Sequence, residues 1–532
     1  MITVKLDNRY GRAWFTKGHW TCSGHTFWQE ALLKQANLAE WLADHDNDFP
    51  WPQSLQSTNG FFSLVRHEGE KLLAAVDRVC SIPLFYGCRN DSFFFSDDAE
   101  WVRAQVGDTA VDEVMKAEFL LTRHVTGPDT LYQNVKQLPA GCSISVTGRE
   151  GKYEIKPHRY CLFPSGVLRT DLDEDTVCRE MDDLHERIMG RLIAYADGRC
   201  IVIPLSGGYD SRLLAAILKR MKYDNVICFS YGREQNAESA VSKEVSERLG
   251  YPWHFVTYTN PMWREWFESE QRQEYYRFAD GLSVVPHIQD VLAVREMRRE
   301  NVIPADSVFA PGHCYDFPAG SLFPKELLPS GSSSRRFVAF NRDMHYAHED
   351  PRRFEPRILA EIERRMLEQL ADYDLNDSLG AVRAFESWLW RERVSKFVVN
   401  SMRVYDFYGY DWCMPFWYKD VMEWWEKIPP EFRVNKRAHT RYMTETINGP
   451  LGLPDRHRPH GRPFKFLRWV TGRLGLMAVG RRWMLAGSYE HQPLAFYGVM
   501  SPQTFQEFMI KNNRTGQRCI NSYLAAERIG WQ

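Results

Sequence analysis

The chain has 532 residues, of which 44% are hydrophobic and 26% are charged, a globular composition that is long enough for two to four domains. Its 67 Lys and Arg nearly balance 69 Asp and Glu, for a formal net charge of −2, which excludes a chain-wide basic surface for nucleic acid or membranes. The start lacks the pattern of a signal peptide, and no run approaches ~18 apolar residues. We therefore expect a cytoplasmic protein without a transmembrane segment.

Short strands are predicted in the first third of the chain. Residues 59–69 (NGFFSLVRHEG), 71–87 (KLLAAVDRVCSIPLFYG) and 91–102 (DSFFFSDDAEWV) alternate apolar or aromatic residues with turn-prone Gly, Asn and Asp, which is typical of antiparallel sheets. A further strand passage covers 130–146, and helical spacing begins at 174. We place a domain boundary near 165–175, which gives domains at 1–168 and 169–532.

Strands and helices alternate after this boundary. Strands are predicted at 200–205 (CIVIPL), 225–230 and 253–258, and helices at 211–222 and 237–250. This alternation predicts a parallel sheet with helices on both faces, whose ligands bind at the carboxyl ends of the strands. Beyond about residue 330 the pattern is mainly helical.

Eleven cysteines are scattered along the chain without a C-x-x-C pair. This pattern fits neither a disulfide framework nor a structural zinc site. We expect most of them to be buried small hydrophobic residues in a reducing compartment.

A glycine loop joins the strand at 200–205 to the helix that follows it. Its residues are Ser206, Gly207, Gly208, Tyr209, Asp210 and Ser211. The glycines allow close approach of the main chain, and the loop amides, the hydroxyls and the positive helix end can hold one anion. Asp210 would repel a phosphate and is better explained as a ligand of the accompanying magnesium. The spacing is neither Walker A nor G-x-G-x-x-G, which argues against kinases and dehydrogenases; an ordinary Gly-Gly turn is the alternative.

SGGYDSR resembles the pyrophosphate loop SGG-x-DS of the asparagine synthetases and their relatives, the N-type ATP pyrophosphatases. NGFFSLV, VDRVCSIPLFYG, FFFSDDAEWV and TLYQNVKQLPAG are similar, in this order, to segments of that family's glutaminase-like domain. The resemblance implies an amino-terminal Ntn-type α/β/β/α domain. It also implies an adenine nucleotide α-hydrolase-like (PP-loop) domain, a doubly wound parallel sheet with helical C-terminal additions. ATP and Mg²⁺ are the implied cofactors.

The resemblance also implies further site residues. Asp316 in APGHCYDFPAG falls on the aspartate of the family's magnesium loop, so that Asp210 and Asp316 would share the metal, and Lys436 lies where a lysine or arginine reaches the departing pyrophosphate. Arg403 and Asp411 fall on an arginine and a glutamate of the segment that ends in Pro-Phe. A surface ion pair for Arg403 and Asp411, and a solvated position for Lys436, remain alternatives.

The adenosine end of the site is expected after the second parallel strand. Ser230, Tyr231 and Gly232 of FSYG end that strand, and Glu238 follows them. Glu238 is equally explained as a helix-start residue that complements the helix dipole.

Two positions depart from the family pattern. Glutamine-hydrolysing members expose an amino-terminal cysteine as nucleophile and base, whereas position 2 here is Ile2 and the nearest cysteine is Cys22. We therefore expect a first domain without glutaminase activity that acts as a structural or docking module. At the second position His313 replaces a glutamate, so that an imidazole could accept a proton or hold an anionic substrate; a buried structural histidine is the alternative.

GHCYDFPAG, SYGREQNAE, LSVVPHIQD and KFVVNSMRVYDFYG are most similar to asparagine synthetase-related proteins of bacterial surface-polysaccharide (O-antigen) biosynthesis. This resemblance implies an ATP-dependent ligase that adenylates a uronic acid and transfers ammonia to it. Asparagine formation, amide closure of the β-lactam or lasso-peptide type, a non-catalytic scaffold, and a sulfur-transferring or nucleic-acid-modifying pyrophosphatase are the alternatives.

Several features stay open at this point. Residues 456–482 are locally basic, which fits a solvated helix face, a patch that steers an anionic substrate, or a peripheral membrane contact. The sequence also leaves open the acid substrate, the nitrogen source, a separate glutaminase partner and a homodimer. Nucleic acid is not an expected partner.

Overall fold

The computed structural model describes residues 1–149, 152–234, 236–328, 333–454, 499–515 and 517–531. Its strands are β1 (Ile2–Lys5), β2 (Phe15–Lys17), β3 (Trp20–Trp28), β4 (Ala31–Lys34), β5 (Asn59–Glu68), β6 (Lys71–Val76), β7 (Phe85–Arg89), β8 (Ser92–Ser96), β9 (Lys136–Gln137), β10 (Cys142–Arg149), β11 (Lys152–Arg159), β12 (Ile201–Pro204), β13 (Val226–Gly232), β14 (Trp253–Thr257), β15 (Val308–Phe309) and β16 (Asp411–Trp412).

The helices lie mostly in the second half of the chain. They are α1 (Gln35–Asp44), α2 (Ala99–Val106), α3 (Glu113–Thr122), α4 (Glu174–Ala196), α5 (Tyr209–Arg220), α6 (Ala237–Leu249), α7 (Asn260–Glu268), α8 (Glu270–Ala279), α9 (Val291–Arg299), α10 (Ser334–His345), α11 (Pro356–Gln369), α12 (Ser378–Trp388), α13 (Arg403–Phe407), α14 (Lys419–Trp425), α15 (Pro430–Arg433), α16 (Arg437–Tyr442), α17 (Gly449–Leu451), α18 (Pro502–Phe505) and α19 (Ile520–Arg528). A π-helical segment, Leu389–Val398, continues α12. Among the described helices, none combines the length and apolar character needed to cross a membrane.

Two β-sheets form the amino-terminal half. One has the order β1-β8-β7-β9; the other has the order β11-β10-β6-β5-β3-β2, with β4 paired to β3. Apolar side chains from both sheets, such as Phe93 and Leu72, share one core. On the outer faces, α1 packs Leu38 against the larger sheet and α2 packs Val102 against the smaller one. The layers are therefore α/β/β/α, as predicted.

A parallel sheet with the order β14-β13-β12-β15-β16 organises the second half. Strand β12 is a fully apolar run of three residues before Pro204, as expected for a strand covered on both faces. The chain continues from β12 to β13 on one side, whereas β15 pairs on the other side. The strand order thus reverses at β12, and the carboxyl end of such a strand is where open α/β sheets bind ligands.

The two halves are joined by paired polar groups. Arg191 of α4 bonds Glu30 of the amino-terminal domain at 2.8 Å and Asp420 at 2.9 Å. Asp420 in turn accepts from the Asn59 side chain at 2.6 Å. Arg191 is 5% exposed, whereas the Glu30 side chain is largely exposed, and together these contacts connect the sandwich to the parallel-sheet domain.

The predicted fold class is confirmed, and the predicted strands and helices of 174–258 match α4 through β14 to within two residues at most ends. All eleven cysteines are free, and six are buried. The predicted boundary at 168/169 falls in the segment between β11 and α4. The basic stretch 456–482 lies outside the described residues.

Candidate active site

The glycine loop leaves β12 at the point where the strand order reverses and enters α5 at Tyr209. Gly208 is the N-cap residue of α5, with Asp210 in the first turn. The first N–H groups of a helix lack intrahelical partners and carry the positive end of its dipole. The loop therefore places backbone N–H groups and the positive helix end at one edge of the sheet, and its role in binding an anion stays a prediction.

Two serine hydroxyl groups of this loop accept hydrogen bonds from the loop backbone. The Ser206 N–H donates to Oγ of Ser211 at 3.1 Å, and the Gly208 N–H donates to Oγ of Ser206 at 3.1 Å. Below the loop, buried Arg212 donates to the carbonyl of Gly207 at 3.2 Å. These bonds fix the loop before any ligand arrives, which reduces the ordering cost of binding.

A second loop, after β15, packs directly on the first. An added Cβ on Gly312 would lie 2.4 Å from the backbone nitrogen of Ser211, so that only glycine fits there. The Asp316 N–H donates to Oδ2 of Asp210 at 3.0 Å. The two predicted metal ligands thus come from loops that touch.

The negative charges of Asp210 and Asp316 repel each other, and a bound cation would relieve this repulsion. Burial, reinforced by the neighbouring Asp316, raises the pKa of Asp210 to about 8. Among the described residues, no three His, Cys, Asp or Glu side chains cluster as a ready-made metal cage. Two carboxylates fit Mg²⁺, which typically takes one or two protein carboxylates and completes its shell with water and phosphate oxygens.

Lys436, from a later segment of the chain, also lies beside Asp316. Its Nζ lies 3.8 Å from Oδ2 of Asp316, and 24% of its side chain is exposed. Asn435 and Lys436 both have left-handed backbone, with φ of 58° and 59°. Such strain is held where surrounding structure imposes it, commonly at functional sites.

His313 lines the cavity on the second loop. The indole of Trp417 donates to the His313 carbonyl at 3.0 Å and fixes the backbone. The buried Nε2 of His313 has no hydrogen-bond partner among the described residues. Burial lowers the pKa of His313, although Asp290 opposes that effect. The imidazole is therefore neutral near pH 7 and able to accept a proton.

The expected adenosine end follows β13. The Tyr231 ring stacks on Tyr258 with 5.0 Å between centroids, and Glu238 lies exposed in the first turn of α6. A Cβ on Gly207 would lie 3.3 Å from the Glu238 Cα. The phosphate loop and the start of α6 are therefore in contact.

These segments enclose one cavity of about 700 Å³, a size typical of small-molecule sites. Of the predicted residues, the structure brings to its wall Ser206, Gly208, Tyr209, Asp210, Ser211, Ser230, Tyr231, Glu238, His313, Asp316 and Lys436. Gly207 and Gly232 belong to the same segments but do not line it.

The structure does not bring Arg403 and Asp411 to this cavity. Arg403 is 2% exposed, lies 3.1 Å from Asp406 and donates to the carbonyl of Ser81 at 2.6 Å. Asp411 pairs with Arg199 at 2.7 Å. The alternative that Arg403 and Asp411 form an ion pair with each other is wrong, because each is committed to a different partner. Their role in substrate binding stays a prediction.

The wall also contains polar residues that the sequence did not single out, namely Asn236, Gln289, Asp290 and Cys314. Asp290 is the most unusual of them, because it is an acidic residue that is only 2% exposed. It directly precedes α9, and this position in sequence reads as an ordinary helix N-cap. Its place at the cavity follows from contacts with β13 and α13.

The fold and the site define a two-domain protein in which a PP-loop sheet domain follows an Ntn-type sandwich. Residues 51–160 match the glutamine amidotransferase domain, and residues 198–456 match asparagine synthase. The chain therefore carries both domains in this order, which supports the asparagine synthetase family. An asparagine synthase-type domain indicates an ATP-dependent amidotransferase or ligase.

Other comparisons are more distant. The NH3-dependent NAD synthetase from Campylobacter jejuni subsp. jejuni NCTC 11168, in complex with the nitrate ion, matches at 14% identity. The match covers 37% of this chain and 94% of that chain, with a TM-score of 0.20. No curated protein matches this chain.

Proposed function

We propose that this chain is an ATP-dependent amide-forming ligase that adenylates a substrate carboxylate and transfers ammonia to it, releasing AMP and pyrophosphate. The acid is a uronic acid of a bacterial surface polysaccharide or its nucleotide sugar. The convergence of the glycine loop, Asp210, Asp316 and Lys436 on one cavity carries this proposal. The substrate class rests on the four sequence segments that resemble polysaccharide-linked relatives.

In this mechanism the loop Ser206–Ser211 holds the triphosphate through main-chain N–H groups and the α5 dipole. Asp210 and Asp316 would hold magnesium, which supplies charge neutralisation to the phosphates when bound. The substrate carboxylate attacks the α-phosphorus, and the Lys436 ammonium stabilises the charge that builds on pyrophosphate.

Amide formation follows in the same cavity. Ammonia attacks the carbonyl carbon of the acyl-adenylate, the new C–N bond forms, and the C–O bond to AMP breaks with its electron pair leaving on AMP. The nitrogen must lose a proton in this step. The unpartnered Nε2 of His313 is its acceptor, because a neutral imidazole is a competent base near pH 7.

Ammonia is proposed to come from solution or from a separate glutaminase, and not from the amino-terminal domain. The match to the glutamine amidotransferase domain begins at residue 51, and Ile2 packs its side chain into the sandwich core. Cys22 is fully buried, and burial raises its pKa to about 12. A buried thiol of this kind is a poor nucleophile.

The test is pyrophosphate release from ATP, magnesium and ammonium across nucleotide-linked uronic acids, aspartate and amino-acid-like acids. We expect release with a nucleotide-linked uronic acid, and a loss of about 10²–10³-fold in Asp316→Asn. Asp306→Asn is the matched control, because Asp306 is an exposed carboxylate before β15. No release with any acid, together with no ATP binding by calorimetry, would instead favour a scaffold.

A further inference from the structure

Asp290 lies in the cavity wall, and its side chain does not cap the helix that it precedes. It is the N-cap residue of α9, yet its side chain makes no capping hydrogen bond. An Asp at this position usually accepts from the second or third N–H of the helix. Its two oxygens instead accept from the Tyr231 hydroxyl at 2.6 Å and the Tyr405 hydroxyl at 2.7 Å.

Both tyrosines are themselves immobilised. Tyr231 stacks on Tyr258, and Tyr405 stacks on Phe309 with 4.1 Å between centroids. Burial raises the pKa of both tyrosine hydroxyls well above the usual value, so they remain donors at physiological pH. Two fixed donors and the positive end of α9 together stabilise an ionised carboxylate.

No cationic side chain among the described residues forms an ion pair with Asp290. The chain pairs other buried carboxylates, such as Asp406 with Arg403 and Glu386 with Arg433. Asp290 differs because it faces a cavity that is proposed to receive ATP and an acid, both of which are anions. A fixed negative charge there would weaken their binding unless it contacts something positive.

We infer that Asp290, positioned by Tyr231 and Tyr405, is the binding group for the nitrogen nucleophile, which arrives as ammonium or a primary alkylammonium. This inference rests on the proposed ligase function. The nucleophile is the only reactant that carries positive charge in water at neutral pH, as a lysine amine with a pKa of about 10.4 does.

The assignment gives the two halves of the reaction different residues of the cavity wall. Phosphate chemistry occurs against Asp210, Asp316 and Lys436, whereas nitrogen is bound at Asp290. The bound ammonium first gives one proton to water, and its free lone pair then forms the C–N bond while AMP leaves with the electrons of the broken C–O bond. His313 accepts the second proton, which the nitrogen loses as the amide forms. Asp290 is unchanged at the end of this step.

The first test separates the two half-reactions in Asp290→Asn, with the acid that passes the pyrophosphate screen. We expect carboxylate-dependent ATP–pyrophosphate exchange within about threefold of wild type, and kcat/KM for ammonium lower by about 10–100-fold. Hydroxylamine, which is largely uncharged at pH 8, should lose little. Asp182→Asn is the matched control, because Asp182 also accepts from a tyrosine, Tyr442, at 2.7 Å, away from this cavity.

Methylamine in the same assay shows whether the positively charged nucleophile is ammonium or a primary alkylammonium. A wild-type rate with ammonium alone identifies ammonia as the nucleophile, and a comparable rate with methylamine identifies a primary amine. Equal losses of exchange, ammonium use and hydroxylamine use in Asp290→Asn would show a structural role and overturn the inference. An unchanged kcat/KM for ammonium would overturn it as well.

A diffraction measurement tests the site without any acid. Thallous ion is close to ammonium in size and gives a strong anomalous signal. In crystals of the full chain soaked with thallous acetate, we expect a peak beside the Asp290 carboxylate that disappears in Asp290→Asn. No peak in the wild-type crystal would contradict the inference even if pyrophosphate release is observed, and a peak with no release would leave Asp290 a cation site while the ligase proposal fails.

Discussion

Two buried polar sites, one in each half of this protein, differ in how their polar groups are satisfied. In the sandwich, the Asp77 carboxylate accepts from the N–H groups of Phe62, Val79 and Ser81 at 3.0, 2.8 and 3.1 Å and from the Ser81 hydroxyl. At the cavity of the parallel-sheet domain, by contrast, Nε2 of His313 has no partner in the described structure. The Asp316 N–H donates to the Asp210 carboxylate there, across touching loops.

This difference separates scaffold from chemistry. A carboxylate with four donors is satisfied and gains nothing from a ligand, whereas unpaired groups in a cavity cost stability until a ligand compensates them. Asp77 is thus explained as a structural residue of the amino-terminal domain, whereas the cavity keeps a polar group that a ligand can compensate.

The largest expected effect is on catalysis at Gly312. Gly312→Ala should lower pyrophosphate release by about 10²-fold, because the new Cβ would lie 2.4 Å from the Ser211 nitrogen and must displace the phosphate loop. Gly190→Ala in α4 is the control, since its Cβ would meet nothing closer than Met221 at 3.8 Å. It should leave activity intact and stabilise the protein by about 0.5–1 kcal/mol. Equal rates of pyrophosphate release by Gly312→Ala and Gly190→Ala would show that the close contact at Gly312 does not matter for catalysis.

The next effect is on stability. Arg433 and Glu386 are 4% and 3% exposed and are paired, and Arg433 also donates to the carbonyl of Pro318 at 2.9 Å. Glu386→Gln leaves a buried guanidinium without its counter-charge, so we expect a loss of about 3–5 kcal/mol in the free energy of unfolding. Urea denaturation measures it.

Glu244→Gln is the control for that loss. It breaks the exposed pair with Arg248, for which we expect no measurable change. A similar urea midpoint for Glu386→Gln and Glu244→Gln would show that the buried pair does not contribute to the free energy of unfolding.

A smaller effect depends on pH. Burial, with a further contribution from Arg12, lowers the pKa of His25 to about 3, although Asp411 opposes this. Below pH 6.5 the unfolded chain binds a proton that the folded His25 refuses, so this residue costs stability as the pH falls from 6.5 towards 3. Between pH 7 and 5 the loss is about 2 kcal/mol.

His25→Phe should reduce the shift in urea midpoint between pH 7 and 5 relative to wild type. The ring packs on Tyr195 with 4.0 Å between centroids, so an aromatic replacement keeps the contact. We expect unchanged pyrophosphate release at pH 7, because His25 does not line the cavity. The same pH dependence in both proteins would contradict the assignment.

Cys22 provides the smallest expected effect. Cys22→Ala should cost about 1 kcal/mol of stability and leave ammonia-dependent activity unchanged, and neither protein should release glutamate from glutamine. Glutamate release by wild type that disappears in Cys22→Ala would break the distinction between scaffold and chemistry.

The sequence predicted local features well because they repeat within a few residues. Strand β12, the glycine loop and α5 follow directly from apolar runs and glycine spacing. Strands β15 and β16 have two residues each, too few for any periodicity. The first four strands also went unpredicted, although they complete the sandwich.

Tertiary pairings could not be predicted in this way. Asp290 meets Tyr405 across 115 positions, and nothing near either residue marks that contact. Arg403 and Asp411 show the same limit, because their motif positions gave no sign that Arg403 pairs with Asp406 and Asp411 with Arg199. Spacing locates a loop, whereas the partner of a buried charge is known only once the chain is folded.

The left-handed backbone at Asn435 and Lys436 has a consequence for laboratory evolution. A side chain in this conformation costs about 1–2 kcal/mol that glycine avoids, so selection for heat resistance alone favours glycine at 436. That replacement removes the ammonium group proposed to face the departing pyrophosphate. A library ranked by melting temperature would therefore enrich stable but inactive chains at this position, whereas Asn435→Gly retains the lysine but relieves less strain, because Asn tolerates this conformation better than Lys.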